Sequence, residues 1–193
     1  MRLGINSIAC VYCLLFLTFC TNQDPNNSSR VTFAGSGSSS GDSSSIKLSS
    51  SRLTMHDGSL DTDDEVLPCL IYNKYEGKWV YVDVWATACY GCIEEIPFSK
   101  TLQQKLANKN IAFVYLCCNS KPDVWQKIIQ DHQLMGDHYF LNQKQATRLF
   151  KEFKILQFPR YMIFDPKGQL ISRDAPRPSS RNIVEFLNHM NSF

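Results

Sequence analysis

Trp85-Ala86-Thr87-Ala88-Cys89-Tyr90-Gly91-Cys92 is the stretch that decides how this chain is read. The run before it, Trp79-Val80-Tyr81-Val82-Asp83-Val84, has the β-branched and aromatic content of a strand. The run after it, Ile93-Glu94-Glu95-Ile96, opens a helical pattern. A C-x-x-C pair therefore sits where a strand turns into a helix. Two thiols at that spacing can close a small ring. The first lies at the helix N-terminus, where partial positive charge and free N–H groups favour thiolate over thiol. Such a pair suits reversible disulfide exchange, in which one sulfur attacks and the other resolves the mixed disulfide.

Two other readings compete. A C-x-x-C can be half of a zinc site, but zinc needs two more ligands. The remaining candidates, Cys117-Cys118 with His132 or His138, lack the usual ligand spacing. The pair can also be a static structural disulfide. Its place after a buried-looking strand, within alternating strand and helix patterns, favours redox chemistry, which needs no metal and no cofactor.

The chain of 193 residues is long enough for one domain and a tail. Its hydrophobic fraction of 44% and its twelve Phe can fill a core. A formal charge of +2 with scattered lysines gives no sign of a nucleic-acid groove. Of eight cysteines, Cys10, Cys13 and Cys20 belong to the N-terminal segment. The other five are an odd number and make no disulfide framework.

Residues 1–20 read as an export signal: Arg2 supplies positive charge, and Ile8 to Phe19 is a continuous apolar stretch. That stretch is short against the roughly 20 residues a spanning helix needs. Leu17-Thr18-Phe19-Cys20 resembles the lipobox of bacterial lipoproteins, in which the cysteine is lipidated, although Phe19 departs from the usual small residue. Residues 21–60 are rich in Ser, Asn and Gly and read as a tether between membrane and domain. Within them Ile46, Leu48, Leu53 and Met55 could supply a weak edge strand.

The folded part is expected over residues 61–193. The acidic cluster from Asp61 to Glu65 would start a helix ended by Gly77. Cys69 reads as a core thiol. A strand covers Lys78 to Trp85, and a helix runs from about Gly91 to Asn108 with Pro97 inside it. Ile111 to Cys118 is a nearly all-apolar central strand. Ser120 with Asp123 looks like an N-cap pair for a helix to His132. A short strand at His138 to Leu141 and a helix from Gln143 to Phe153 follow. Tyr161 to Phe164 and Gln169 to Ser172 form a hairpin about Asp165-Pro166-Lys167-Gly168. Ser179-Ser180 would cap a last helix through Met190. The fold class is α/β, a mixed sheet with helices on both faces.

These stretches resemble the thioredoxin superfamily, in particular its exported TlpA/ResA-like thiol–disulfide oxidoreductases. The resemblance rests on Gly77-Lys78-Trp79-Val80-Tyr81-Val82-Asp83-Val84-Trp85-Ala86-Thr87, Cys89 to Cys92, Glu95-Ile96-Pro97, Phe158-Pro159-Arg160 and Asp165-Pro166-Lys167-Gly168. It implies a thioredoxin-like fold and a role for each matching residue. Cys89 would be the attacking cysteine and Cys92 the buried resolving one. Glu95 would help move a proton to or from the resolving thiol. Pro159 would be a cis proline facing the disulfide, leaving the Phe158 backbone free for an extended substrate. Tyr90 would border the substrate, and Trp85 would either wall the site or fill the core.

The family usually carries Trp where this chain has Ala88, and Tyr90-Gly91 replaces its usual dipeptide, which bears on thiolate stability. The implied activity is reduction of protein disulfides in the cell envelope, of apocytochrome c or other exported proteins, fed by an upstream membrane electron donor. A binding or scaffolding module on the same fold is the alternative. A thiol peroxidase is a third reading, but the Pro and Thr that frame a peroxidatic cysteine are missing. Cys117 and Cys118 end a central strand and could relay a disulfide, or simply fill the core.

Overall fold

The computed structural model describes residues 53–56 and 67–190. The expected export signal, the lipidation of Cys20 and most of the tether lie outside the described residues, as does the acidic cluster from Asp61 to Glu65.

The apolar runs pair into one sheet of six strands: β1 (Leu53–His56), β2 (Trp79–Trp85), β3 (Ile111–Cys117), β4 (Gly136–Phe140), β5 (Arg160–Phe164) and β6 (Leu170–Ser172). Their order is β1-β4-β3-β2-β5-β6. The first four run parallel, and β5 and β6 are antiparallel to their neighbours. The most apolar strands, β2 and β3, lie in the middle, as burial on both faces requires. Among the described residues, five helices cover the sheet: α1 (Leu67–Tyr75), α2 (Tyr90–Lys105), α3 (Pro122–His132), α4 (Gln143–Phe153) and α5 (Ile183–Met190). This is the mixed α/β, thioredoxin-like architecture expected from the sequence.

The period of two along β2 sends alternate side chains to opposite cores. Val80, Val82 and Val84 pack with Leu70, Ile71, Leu149 and Phe153 of α1 and α4. On the other face, Tyr81 meets Leu102 and Leu187, while Trp85 meets Cys92, Ile96 and Trp125. Asp83, between those two aromatics on the α2 face, is the one charged residue of this strand and is buried.

Strand β1 lies upstream of Asp61, so the sheet takes in residues the sequence reading gave to the tether. Leu53 and Met55 pack into the α2–α3 core, and the His56 ring stacks on Tyr139 at 4.4 Å. Helix α1 ends as expected at Gly77, whose φ of +79° suits glycine and whose N–H donates to Pro166 O at 2.9 Å.

Two expected helix caps are absent. Helix α3 has Lys121 at its N-cap with no side-chain cap bond, and Pro122 opens it. Ser120 instead accepts from the Thr87 N–H at 2.9 Å and donates to Cys118 O at 2.8 Å. Helix α5 starts at Ile183, and Ser179 is turned to Glu95. In both cases a tertiary acceptor or donor outcompetes the local helix end.

Candidate active site

Strand β2 ends at Trp85, and α2 starts at Tyr90. Ser120 and the bond from Cys89 N–H to Ala86 O at 3.1 Å fix the turn between them. Cys89 is the N-cap of α2: its backbone is extended, and its Sγ accepts from the Cys92 N–H at 3.2 Å. A sulfur that receives an N–H at the positive end of a helix is biased toward thiolate once the pair is reduced. Cys89 and Cys92 are joined as a disulfide with their Cα atoms 5.2 Å apart. Cys92 is buried against Trp85, Ile96 and Cys117, whereas Cys89 is half-exposed. The outer sulfur can therefore be reached by a partner, and the inner one only through it.

The Phe158–Pro159 peptide is cis. A methyl group placed on Gly91 would meet Pro159 Cδ at 3.8 Å, so the proline faces the disulfide ring. Strand β5 begins at Arg160, which leaves Phe158 outside its ladder with β2. The Phe158 ring packs on Phe150 at 5.5 Å.

Glu95, one turn beyond Cys92 on α2, is buried on the same side of the helix. The Ser179 N–H donates to its Oε2 at 2.9 Å, and the Ser179 hydroxyl donates to Oε1 at 2.7 Å. Arg177 Nη1 lies 3.6 Å from Oε1 but is more than half exposed. Tyr90 is exposed, and its hydroxyl hydrogen-bonds Glu94.

Of the two readings of Trp85, the core one fits its position. It is buried beneath the pair, so it supports the disulfide from below and cannot touch a visiting chain. Cys117 and Cys118 are also fully buried, and burial pushes the Cys117 thiol up to about 12 and Cys118 up as well. They behave as core thiols, and the relay role is not supported by their position.

One functional candidate escaped the sequence reading. Burial first, and then the negative charge of Glu95, push the Asp83 carboxyl well above the usual carboxylate range. Its Oδ1 has no hydrogen-bond partner among the described residues. Asp83 projects under α2 between the core that holds Cys92 and the one that holds Leu102. The two carboxyl groups sit in unlike settings: burial favours the protonated form of Asp83, while Glu95 accepts two hydrogen bonds. The signal was available as one acid inside an otherwise uncharged strand.

The fold and site together define a class, and comparison with known proteins agrees with it. A family model described as Thioredoxin-like matches residues 77–170. A solution structure from Bacteroides vulgatus, assigned as a thiol–disulfide oxidoreductase, is 34% identical, covers 61% of this chain and 76% of that one, and has a TM-score of 0.54. The thioredoxin domain of another Bacteroides vulgatus thiol–disulfide oxidoreductase is 19% identical, covers 62% and 83% of the two chains, and shares the fold with a TM-score of 0.56. The thiol–disulfide oxidoreductase ResA of Bacillus thuringiensis is 19% identical over 113 residues, 58% of this chain and 64% of that protein. The chain thus matches just under two thirds of the length of the ResA proteins. This chain belongs to the thioredoxin-like family of thiol–disulfide oxidoreductases.

Proposed function

We propose that this chain is a thiol–disulfide oxidoreductase of the cell envelope that reduces disulfides in exported proteins, such as apocytochrome c. The observation that carries the activity is the placement of Cys89: a half-exposed sulfur capping α2, bonded to a buried Cys92 and faced by Pro159. In the reduced protein the Cys89 thiolate attacks one sulfur of a substrate disulfide. A mixed disulfide forms, and the other substrate sulfur leaves as a thiolate that takes a proton. Cys92 then loses its proton and attacks Cys89 Sγ. The Cys89–Cys92 bond forms, and the second substrate thiolate leaves. Two electrons pass from the chain's dithiol to the substrate.

The proton that Cys92 gives up needs a base near a buried sulfur. Glu95 lies on the helical turn after Cys92 and can accept that proton, while Asp83, on the strand beneath that helix, favours its protonated form and can return one when the disulfide is reduced. An envelope location is supported by the apolar segment from Ile8 to Phe19 and the polar tract behind it. In this reading the tract tethers the domain to a membrane, with Cys20 as the lipid-bearing residue, and a membrane donor returns the electrons.

Trapping tests the reading in whole cells. A Cys92→Ser variant should accumulate mixed disulfides through Cys89, and the captured proteins identify the substrates. A Cys89→Ser variant should capture none. Equal capture by both variants would contradict the assignment of attacking and resolving sulfurs.

A further inference from the structure

Asp83 and Tyr161 stand directly opposite each other in the antiparallel pairing of β2 with β5. The period of two along both strands puts the two side chains on the α2 side of the sheet, where Tyr161 joins the core of Tyr81, Leu102 and Leu187. Side chains opposed in this way have Cβ atoms about 5 Å apart. Asp83 is 7% exposed and Tyr161 is 3% exposed. Asp83 Oδ1 and the Tyr161 hydroxyl both lack a hydrogen-bond partner among the described residues. The neighbouring phenol differs. The Tyr81 ring stacks on Tyr161 at 5.6 Å, but its hydroxyl donates to Pro176 O at 2.6 Å. One phenol of the stack is thus engaged by backbone, while the other faces the acid across the strand. A buried hydroxyl and a buried carboxyl are both costly to leave unpaired, and one water between them satisfies both.

We propose that Tyr161 is a positioning residue for the exchange reaction: its hydroxyl reaches Asp83 through one ordered water and supports the carboxylate that Asp83 becomes when it gives its proton to Cys92. This rests on the redox reading above and deepens it. When a donor dithiol reduces the pair, its thiolate attacks Cys89 Sγ and the Cys89–Cys92 bond breaks. Cys92 leaves as a thiolate and takes the Asp83 proton. The donor's second thiol, losing its own proton, then displaces Cys89, and the donor, having given two electrons, ends as a disulfide. A bare carboxylate is left under α2. Burial first, and then the charge of Asp83, push the Tyr161 phenol far up, so its hydroxyl keeps the proton and can donate it through the water. The other groups whose charge bears on Asp83 are Glu95 on α2, Tyr81 on its own strand, and Tyr115 and Cys117 on β3. The Tyr115 hydroxyl accepts from Gln103 Nε2 at 2.7 Å. Arg177, in the segment before α5, bears on Tyr81, Tyr161 and Glu95. Among these, Tyr161 is the donor with no other acceptor among the described residues.

The test follows the Asp83 carboxyl by carbon-13 NMR through a pH titration of the full chain in its oxidised form. Tyr161→Phe keeps the ring and its packing and removes only the hydroxyl. In this variant the Asp83 midpoint should rise by about one pH unit, a tenfold gain in proton affinity and the scale of one lost hydrogen bond to a charged group. Tyr81→Phe removes a hydroxyl that Pro176 O already engages, so it should lower the urea midpoint and leave the Asp83 midpoint in place. The rate at which dithiothreitol opens the Cys89–Cys92 bond is measured on the same proteins. Its pH profile, corrected for the ionisation of dithiothreitol, should move with the Asp83 midpoint in Tyr161→Phe. An Asp83 midpoint unchanged or lowered in Tyr161→Phe, an equal rise in Tyr81→Phe, or a moved midpoint with an unmoved rate profile would overturn the proposal alone. If dithiothreitol opens the bond in the wild type at no pH, the redox reading falls and takes the role in exchange with it.

Discussion

Ser179 holds Glu95 with two hydrogen bonds, its N–H on Oε2 and its hydroxyl on Oε1, across 84 residues of chain. The segment before α5 is thereby fastened to the first turns of α2. The acceptor is buried, so both bonds lie in a poorly solvated place. Ser179→Ala should destabilise the protein by about 1–2 kcal/mol in urea unfolding. Arg177→Gln should cost less than about 1 kcal/mol, because that guanidinium is largely in water. A larger loss from Arg177 than from Ser179 would reverse the assignment of what holds the carboxylate.

Asp83 gives a pH dependence of definite sign. Its carboxyl is raised in the folded chain above the ordinary 3.8, so the folded state holds a proton that the unfolded state releases. The stability tied to this group is present below pH 3.8 and is lost as pH rises through the folded-state value. Asp83→Asn removes that loss. The variant should gain on the wild type in urea midpoints as pH rises above the ordinary carboxylate range, and a difference that stays constant from about pH 3 upward would exclude a buried protonated Asp83. The same variant should release mixed disulfides at least about tenfold more slowly if Asp83 handles the Cys92 proton.

His138 has the opposite sign. The ring is fully buried, with Nε2 at 2.8 Å from Leu134 O, where the neutral tautomer donates its N–H. Burial lowers it from 6.5 to about 4. Stability from the neutral ring is therefore present above pH 6.5 and lost as pH falls toward 4. That loss should reach about 3 kcal/mol, as a shift of this size implies. His138→Gln should flatten this limb, and an unchanged acid limb would rule the ring out as its source.

Cys117 and Cys118 should not react with iodoacetamide in the reduced native protein at pH 8, while Cys89 does. Burial keeps both thiols protonated and out of reach. Peptide mapping by mass spectrometry checks this. Rapid modification of Cys117 in the native state would reopen a role for it in exchange.

Much of this was legible because the strongest signals are local. The uninterrupted apolar character of β2 and β3 announces central strands. The C-x-x-C after β2 announces the helix start. What escaped depends on contacts far apart in sequence. Ser120 and Ser179 looked like helix caps, and only the folded chain brings Thr87 and Glu95 to them. Trp85 could be site wall or core filler from the sequence, because strand alternation alone does not say that α2 and α3 close over it. Asp83 was passed over inside its strand, since its significance comes from Glu95 and from complete burial.

The central claim is that Cys89 and Cys92 exchange two electrons with a partner. A redox titration in dithiothreitol or glutathione buffers, read by alkylation and mass analysis, tests it most directly. The account predicts one reversible two-electron transition between about −270 and −120 mV, the span of this class of protein, belonging to Cys89 and Cys92 and absent in Cys89→Ser. A disulfide that stays closed throughout that range, or a transition that survives in Cys89→Ser, would contradict it.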